Sequence, residues 1–214
     1  MDSLARRGPG VGLHYAAMSW SLGEIVRTHA RERGARPMIT CGTRTITWVD
    51  MDARSSRVAQ GFRAAGLAAQ DRVAFIDKNG PEYFEVLFGG GKANAVNVAV
   101  NWRLAPAEMA YIVNDAAARL LFVGPDFLAH LDEIEGALKT VEKIVVIGNH
   151  ARHENYDAWG ARHPADDPET PTAAEDVAMQ LYTSGTTGLP VHPGLRPDGN
   201  HRRHHPASGL RSRD

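Results

Sequence analysis

Between Tyr182 and Pro190 the chain reads YTSGTTGLP. Two glycines, Gly185 and Gly188, stand among the hydroxyls of Thr183, Ser184, Thr186 and Thr187. Glycine takes left-handed backbone angles at little steric cost and lets the main chain approach a ligand closely. Successive backbone N–H groups in such a loop form a concave anion site. Hydroxyls add donors for phosphate oxygens. The plainer reading is an ordinary Gly/Ser/Thr turn. Two features favour phosphate handling: the density of hydroxyls, and the apolar run VAMQLYT just before them, which reads as a buried strand. In open α/β sheets, ligands bind at loops leaving the carboxyl ends of strands.

The loop is not a Walker A sequence, which needs G-x-x-x-x-G-K-[ST]. The second glycine cluster, Gly89-Gly90-Gly91-Lys92, fails the same test, with Val86 at the first glycine position and Ala93 after the lysine. Close helix packing is the better reading of that cluster.

The elements that must position the loop alternate between helix and strand. Ser21 with Glu24 has the spacing of a capping box and predicts a helix to about Gly34, with Leu22, Ile25 and Val26 inward. PMITCG and RTITW read as a hairpin around Gly42 and Thr43. Thr47 caps a longer helix ending near Gly66, with Met51, Val58, Phe62 and Ala65 on one face. DRVAFID reads as a strand buried on both faces, and PEYFEVLFGGGKANA as a buried helix opened by Pro81. VNVAV, RLLFVG and EKIVVIG read as strands, separated by helices over PAEMAYIVNDAAA and DFLAHLDEIEGALK. Residues 149–175 are polar and proline-bearing and read as a surface connection. The alternation predicts an α/β fold, a mostly parallel sheet flanked by helices with right-handed crossovers.

The composition excludes several classes. Net charge is −1, so no nucleic-acid or anionic-membrane partner is expected. Cys41 is the only cysteine, which rules out an internal disulfide and a cysteine-based zinc site. In a strand it reads as a buried small hydrophobe. His14, His29 and His130 read as structural. Neither a signal peptide nor an apolar run of about 18 residues is visible, and the expectation is a cytoplasmic protein.

The run YTSGTTGLP resembles the phosphate loop of the AMP-forming, adenylate-forming ligases, which include acyl-CoA synthetases, aryl-CoA ligases, luciferases and peptide-synthetase adenylation domains. TWVDMDARSSRVAQGFRAAGLAAQDRVAF is similar to that family's early helix and strand. AVNVAVNWRLAPAEMAYIVNDAAARLLFV is similar to its next block. The resemblance covers roughly residues 20 to 190, and the NWRL wording leans toward fatty-acid or medium-chain acyl-CoA ligases. It implies the N-terminal part of the family's large domain and a two-step reaction. A carboxylate attacks the α-phosphate of ATP to give acyl-AMP, and a thiol, usually of coenzyme A, then displaces AMP. It implies ATP and Mg²⁺, with CoA as co-substrate and a small carboxylic acid as substrate. By the resemblance, Thr183, Ser184, Gly185, Thr186, Thr187 and Gly188 are the contacts to the β- and γ-phosphates.

The sequence departs from the pattern after Pro190, where Val191-His192-Pro193 stands in place of the family's Lys-Gly and helix. Residues 191–214 hold five Arg, four His, three Pro and three Gly, with no aromatic residue. Such a composition cannot bury a core. Three readings stand: out-of-frame translation of a GC-rich ligase gene, a basic interaction tail, or metal binding through His201, His204 and His205. The expected organisation is a leader over 1–20, a partial AMP-binding domain over 21–190 and a disordered basic tail over 191–214. The family's adenine-binding, Mg²⁺-binding and mobile C-terminal segments have no counterpart here. The expectation is therefore a truncated ligase, inactive alone, with weak nucleotide binding and no residue assigned a catalytic or metal-binding role. The alternative is a non-enzymatic binding module, or one half of a split ligase acting with a second-half chain or a full-length paralogue.

Overall fold

A computed structural model of the chain describes residues 21–183. The first helix, α1 (Leu22–Arg33), begins at Ser21, whose hydroxyl accepts the Glu24 amide at 3.1 Å. The Glu24 carboxylate turns instead to the Thr28 hydroxyl at 3.0 Å, so only half of the capping box bears on the cap. Strands β1 (Pro37–Cys41) and β2 (Arg44–Thr47) form the expected antiparallel hairpin. Cys41 is exposed there, which corrects the expectation of burial: the hairpin is a separate two-stranded ribbon with its outer face in solvent. Helix α2 (Trp48–Ala64) carries a complete capping box between Thr47 and Asp50.

The main sheet contains β3 (Arg72–Ile76), β4 (Val96–Ala99), β5 (Ala118–Val123), β6 (Lys143–Val146), β7 (Glu154–Asn155) and β8 (Met179–Gln180). Their order is β7-β6-β5-β3-β4-β8, and every adjacent pair is parallel. Parallel neighbours need crossover segments. These are α3 (Pro81–Ala93) between β3 and β4, α4 (Pro106–Asp115) between β4 and β5, and α5 (Leu128–Ile134) between β5 and β6. The long helix expected after β5 is broken: α5 is only seven residues, with 3₁₀ turns at Pro125–Phe127 and Glu135–Ala137.

The strand residues alternate between two covered faces. Val73, Phe75, Leu120, Phe122 and Val145 pack with Val58 and Phe62 of α2, and with Tyr83, Val86 and Leu87 of α3. Tyr156 and Trp159 complete this core. They belong to α6 (Tyr156–Ala161), which lies within the stretch expected to be plain surface connection. Trp159 is 1% exposed and fills a notch at Gly61, where any Cβ would collide with the indole. A smaller core joins Val26, Ile46, Met51 and Phe88, tying α1 and the hairpin to α2 and α3.

The Gly89-Gly90-Gly91 run is a packing device, as its failure of the phosphate-loop test suggested. A Cβ on Gly89 would fall 2.6 Å from Val58 of α2, and one on Gly91 would fall 2.6 Å from the Gly23 backbone nitrogen of α1. Lys92, next in sequence, is fully buried. Its ammonium donates to the Asp52 carbonyl (2.8 Å), the Asp52 carboxylate (2.6 Å) and the Ser56 hydroxyl (2.7 Å), and pairs with Asp167 at 3.1 Å. Arg27 of α1 grips the same Asp167 carboxylate with two bonds of 2.8 Å. Burial pushes the Asp167 carboxyl up, but Arg27, the Glu169 amide and Lys92 outweigh it and hold the group at about 2.

Two outcomes follow from this packing. Gly91→Ala forces α1 away from α3 through backbone rather than a pliable side chain. It should cost about 1–3 kcal/mol, lowering the thermal midpoint by about 2–4 °C per kcal/mol. Because the folded Asp167 value is depressed, its contribution is full above the unfolded value of 3.8 and is lost as pH falls through about 2. Asp167→Asn should thus lower the urea midpoint at pH 7, and the gap to the parent should close between about pH 4 and pH 2.

Candidate nucleotide site at the carboxyl rim

Parallel pairing puts the carboxyl ends of β3, β4, β5 and β8 on one rim of the sheet. Three loops build that rim beside β8: residues 77–80 after β3, 100–105 after β4 and 124–127 after β5. Strand β8 reaches it with Met179 and Gln180 set beside Asn97 and Val98 of β4.

Of the residues expected to hold phosphate, Thr183 follows β8 as irregular, exposed chain. Ser184, Gly185, Thr186, Thr187 and Gly188 lie outside the described residues, as do His201, His204 and His205. The strand leading to the loop differs from the buried strand expected over VAMQLYT. β8 is two residues long and, among the described residues, pairs on one side only, with β4; Val177 is 47% and Leu181 66% exposed. Its neighbour Asn97 is 2% exposed, and neither the nitrogen nor the oxygen of its side-chain carboxamide has a hydrogen-bond partner among the described residues.

The rim carries a charged and aromatic cluster that the motif reading did not single out. The Lys78 ammonium sits 5.6 Å above the Trp102 ring, and the Arg103 guanidinium 4.0 Å from it. Trp102 in turn packs on Phe127 at 6.1 Å, and Phe127 on His130 at 5.7 Å. Lys78 bonds Asp126 at 2.6 Å. The Asp77 carboxylate accepts the Lys78 amide at 2.7 Å and lies against Gly124, where any Cβ would collide with it. Burial raises the Asp77 pKa, with Asp126 adding to the effect. The signal in the sequence was positional: DKNG, NWRL and GPDF each follow an apolar strand directly, and only the parallel pairing brings the three together.

Two cations and an indole on one edge can receive an anionic, planar ligand. A Mg²⁺ ion would need free carboxylate oxygens. Lys78 engages one oxygen of Asp77 through its amide and one oxygen of Asp126 through its ammonium. Among the described residues no three His, Cys, Asp or Glu side chains come together as a metal site. No helix among them is long and apolar enough to cross a membrane.

Known ligases are similar to this chain. A fatty acid–[acyl-carrier-protein] ligase, ScoC, of Streptomyces coeruleorubidus is 38% identical over 179 residues, covering 83% of this chain and 33% of its own. A 3-hydroxybenzoate–CoA/4-hydroxybenzoate–CoA ligase of Thauera aromatica is 35% identical over 171 residues, covering 78% and 32%. The chain thus spans about a third of the length of the curated relatives it matches. Among solved structures, the anthranilate CoA ligase AuaEII in complex with anthranoyl-AMP superposes with a TM-score of 0.75 at 26% identity, over 79% of this chain and 33% of that one. The sequence pattern of the AMP-binding enzymes matches residues 26–190, from within α1 through the glycine–hydroxyl loop. A match of that extent, on a parallel sheet shared with solved CoA ligases, makes this chain a member of the AMP-binding enzyme family.

Proposed function

We propose that this chain supplies the phosphate-cradling loop of an ATP-dependent acid–thiol ligase. One observation carries the reading: the glycine–hydroxyl run 183–188 lies within the family match and directly follows a parallel strand that ends on the carboxyl rim. In this reading the backbone N–H groups and hydroxyls of Thr183, Ser184, Gly185, Thr186, Thr187 and Gly188 hold the β- and γ-phosphates of ATP. The substrate carboxylate then attacks the α-phosphorus, the bond to pyrophosphate breaks, and acyl-AMP forms. A thiol displaces AMP in the second step. Relatives named for fatty-acid, hydroxybenzoate and anthranilate substrates support an organic carboxylic acid. The thiol is coenzyme A or a carrier-protein arm, since relatives of both kinds match. Mg²⁺ would screen the triphosphate, with ligands from outside the described residues. The exposed thiol of Cys41 suits a cytoplasmic, reducing setting.

The described residues offer one wall of such a site. A charge-assisted hydrogen bond contributes about 1.5–3 kcal/mol. Three or four of them must offset roughly 4–15 kcal/mol of lost ligand freedom. A surplus near 4 kcal/mol corresponds to a Kd of about 1 mM. The outer edge of β8, which no described residue pairs, and the exposed Leu181 and Val177 favour completion by further ligase sequence, in the same polypeptide or a second one.

Calorimetry with MgATP on the 214-residue protein should therefore give a Kd of about 1 mM or weaker, and pyrophosphate exchange with carboxylic acids should be silent. Micromolar binding or formation of an adenylate by the protein alone would overturn this. Thr186→Val, which keeps shape and removes a donor, should weaken loop binding about fivefold, read by NMR at millimolar nucleotide.

A further inference from the structure

Among the described residues four non-glycine positions take left-handed backbone angles, and two of them, Gln70 (φ 67°) and Asn94 (φ 56°), meet. Such angles are costly for side-chain-bearing residues and persist only where surroundings over-determine them. Here the surroundings are each other and the segment that leads to β8. The Gln70 amide donates to the Asn94 carbonyl at 2.6 Å, and the Gln70 side chain donates to the Asn94 side-chain oxygen at 2.8 Å. The Gln70 carboxamide also accepts the Val177 N–H at 2.9 Å and donates to the Val177 carbonyl at 3.3 Å. A side-chain amide thus pairs with backbone as a neighbouring strand would. Asn94 donates to the Pro171 carbonyl at 3.1 Å and to the Asp176 carboxylate at 2.8 Å. Asp176 closes the turn by accepting the Ala173 amide at 2.7 Å.

Gln70 stands just before β3, Asn94 before β4 and Val177 before β8, so this clamp sits at the amino rim, opposite the carboxyl rim. It matters because β8 holds to the sheet by a register of only two residue pairs, Asn97↔Met179 and Val98↔Gln180, joined by the Asn97 amide on the Ala178 carbonyl at 3.0 Å. Side-chain direction alternates along a strand, so a slip of one residue turns every side chain to the other face. We infer that Gln70 and Asn94 are positioning residues: their paired carboxamides fix the register of β8, and through it the geometry with which the chain enters the phosphate loop. The second half of that statement rests on the phosphate reading above.

The test uses the full chain, labelled with ¹⁵N, as parent, Gln70→Gly and Asn94→Gly. Glycine suits positive φ, so both variants should keep the parent's thermal midpoint within about 2 °C. Amide exchange at Met179, Gln180 and Leu181 should nevertheless quicken at least about tenfold, with β3 and β5 unchanged. The MgATP concentration that half-shifts the loop amides should rise at least about threefold. Unchanged exchange at β8 in both variants, or exchange quickened across the whole sheet, would overturn the clamp. Quicker β8 exchange with an unaltered MgATP response would overturn its role in the loop. If the parent's loop amides ignore MgATP altogether, the phosphate reading fails, and the exchange arm still decides the clamp.

Discussion

The ammonium of Lys92 is fully buried, and the surrounding architecture answers that fact. A buried charge is tolerable only when paired and fully hydrogen-bonded. Lys92 lies at the end of α3, its acceptors come from α2, and Asp167 comes from the irregular segment after α6. Arg27 of α1 completes the set by neutralising the far side of Asp167. Three helices and one long connection are therefore committed to a single arrangement. Two of the glycines before Lys92, Gly89 and Gly91, serve the same end, since they let α3 approach α2 and α1 closely enough for the ammonium to reach its partners.

That convergence bears on the site because the segment from His163 to Val177 is the only link between α6 and β8. It is fastened along its length: Arg57 holds the His163 carbonyl at 2.7 Å and Gln60 the Asp166 carbonyl at 2.8 Å. Asp167 lies in the buried charge cluster, and the final residues meet Gln70 and Asn94. A connection without regular structure is thus given a definite course by side chains reaching its backbone. Segments of this length without secondary structure are uncommon in compact domains unless they serve a function.

Much of the fold was legible in the sequence, and the exceptions have physical causes. The caps at Ser21 and Thr47, Pro81 at the first turn of α3, and the apolar runs of β3, β5 and β6 are local signals, so those elements stand where the sequence put them. Helix α6 was missed because its charged and polar flanks hide the two residues that matter, Tyr156 and Trp159, whose partners lie on distant elements. VAMQLYT was over-read because an apolar run does not reveal whether a strand is central or at an edge. The charge cluster at Lys92 and the Gln70–Asn94 pairing join residues far apart in sequence, where periodicity carries no information. For the candidate site, the loop 183–188 stands out by its residue types but lies beyond the described residues after Thr183, while the Lys78–Trp102–Arg103 cluster needed the sheet order to be seen.

Helix α6 has one more consequence. Six residues cannot sustain a helix in water, because the nucleation cost outweighs the few bonds gained. Its turn exists only while the Trp159 indole occupies the notch at Gly61 and the Tyr156 hydroxyl donates to the buried Glu85 carboxylate at 2.9 Å. Local melting of this protein should thus be lumpy rather than gradual. Freeing that one indole releases α6 and, with it, the anchorage at His163 from which the chain sets out toward β8.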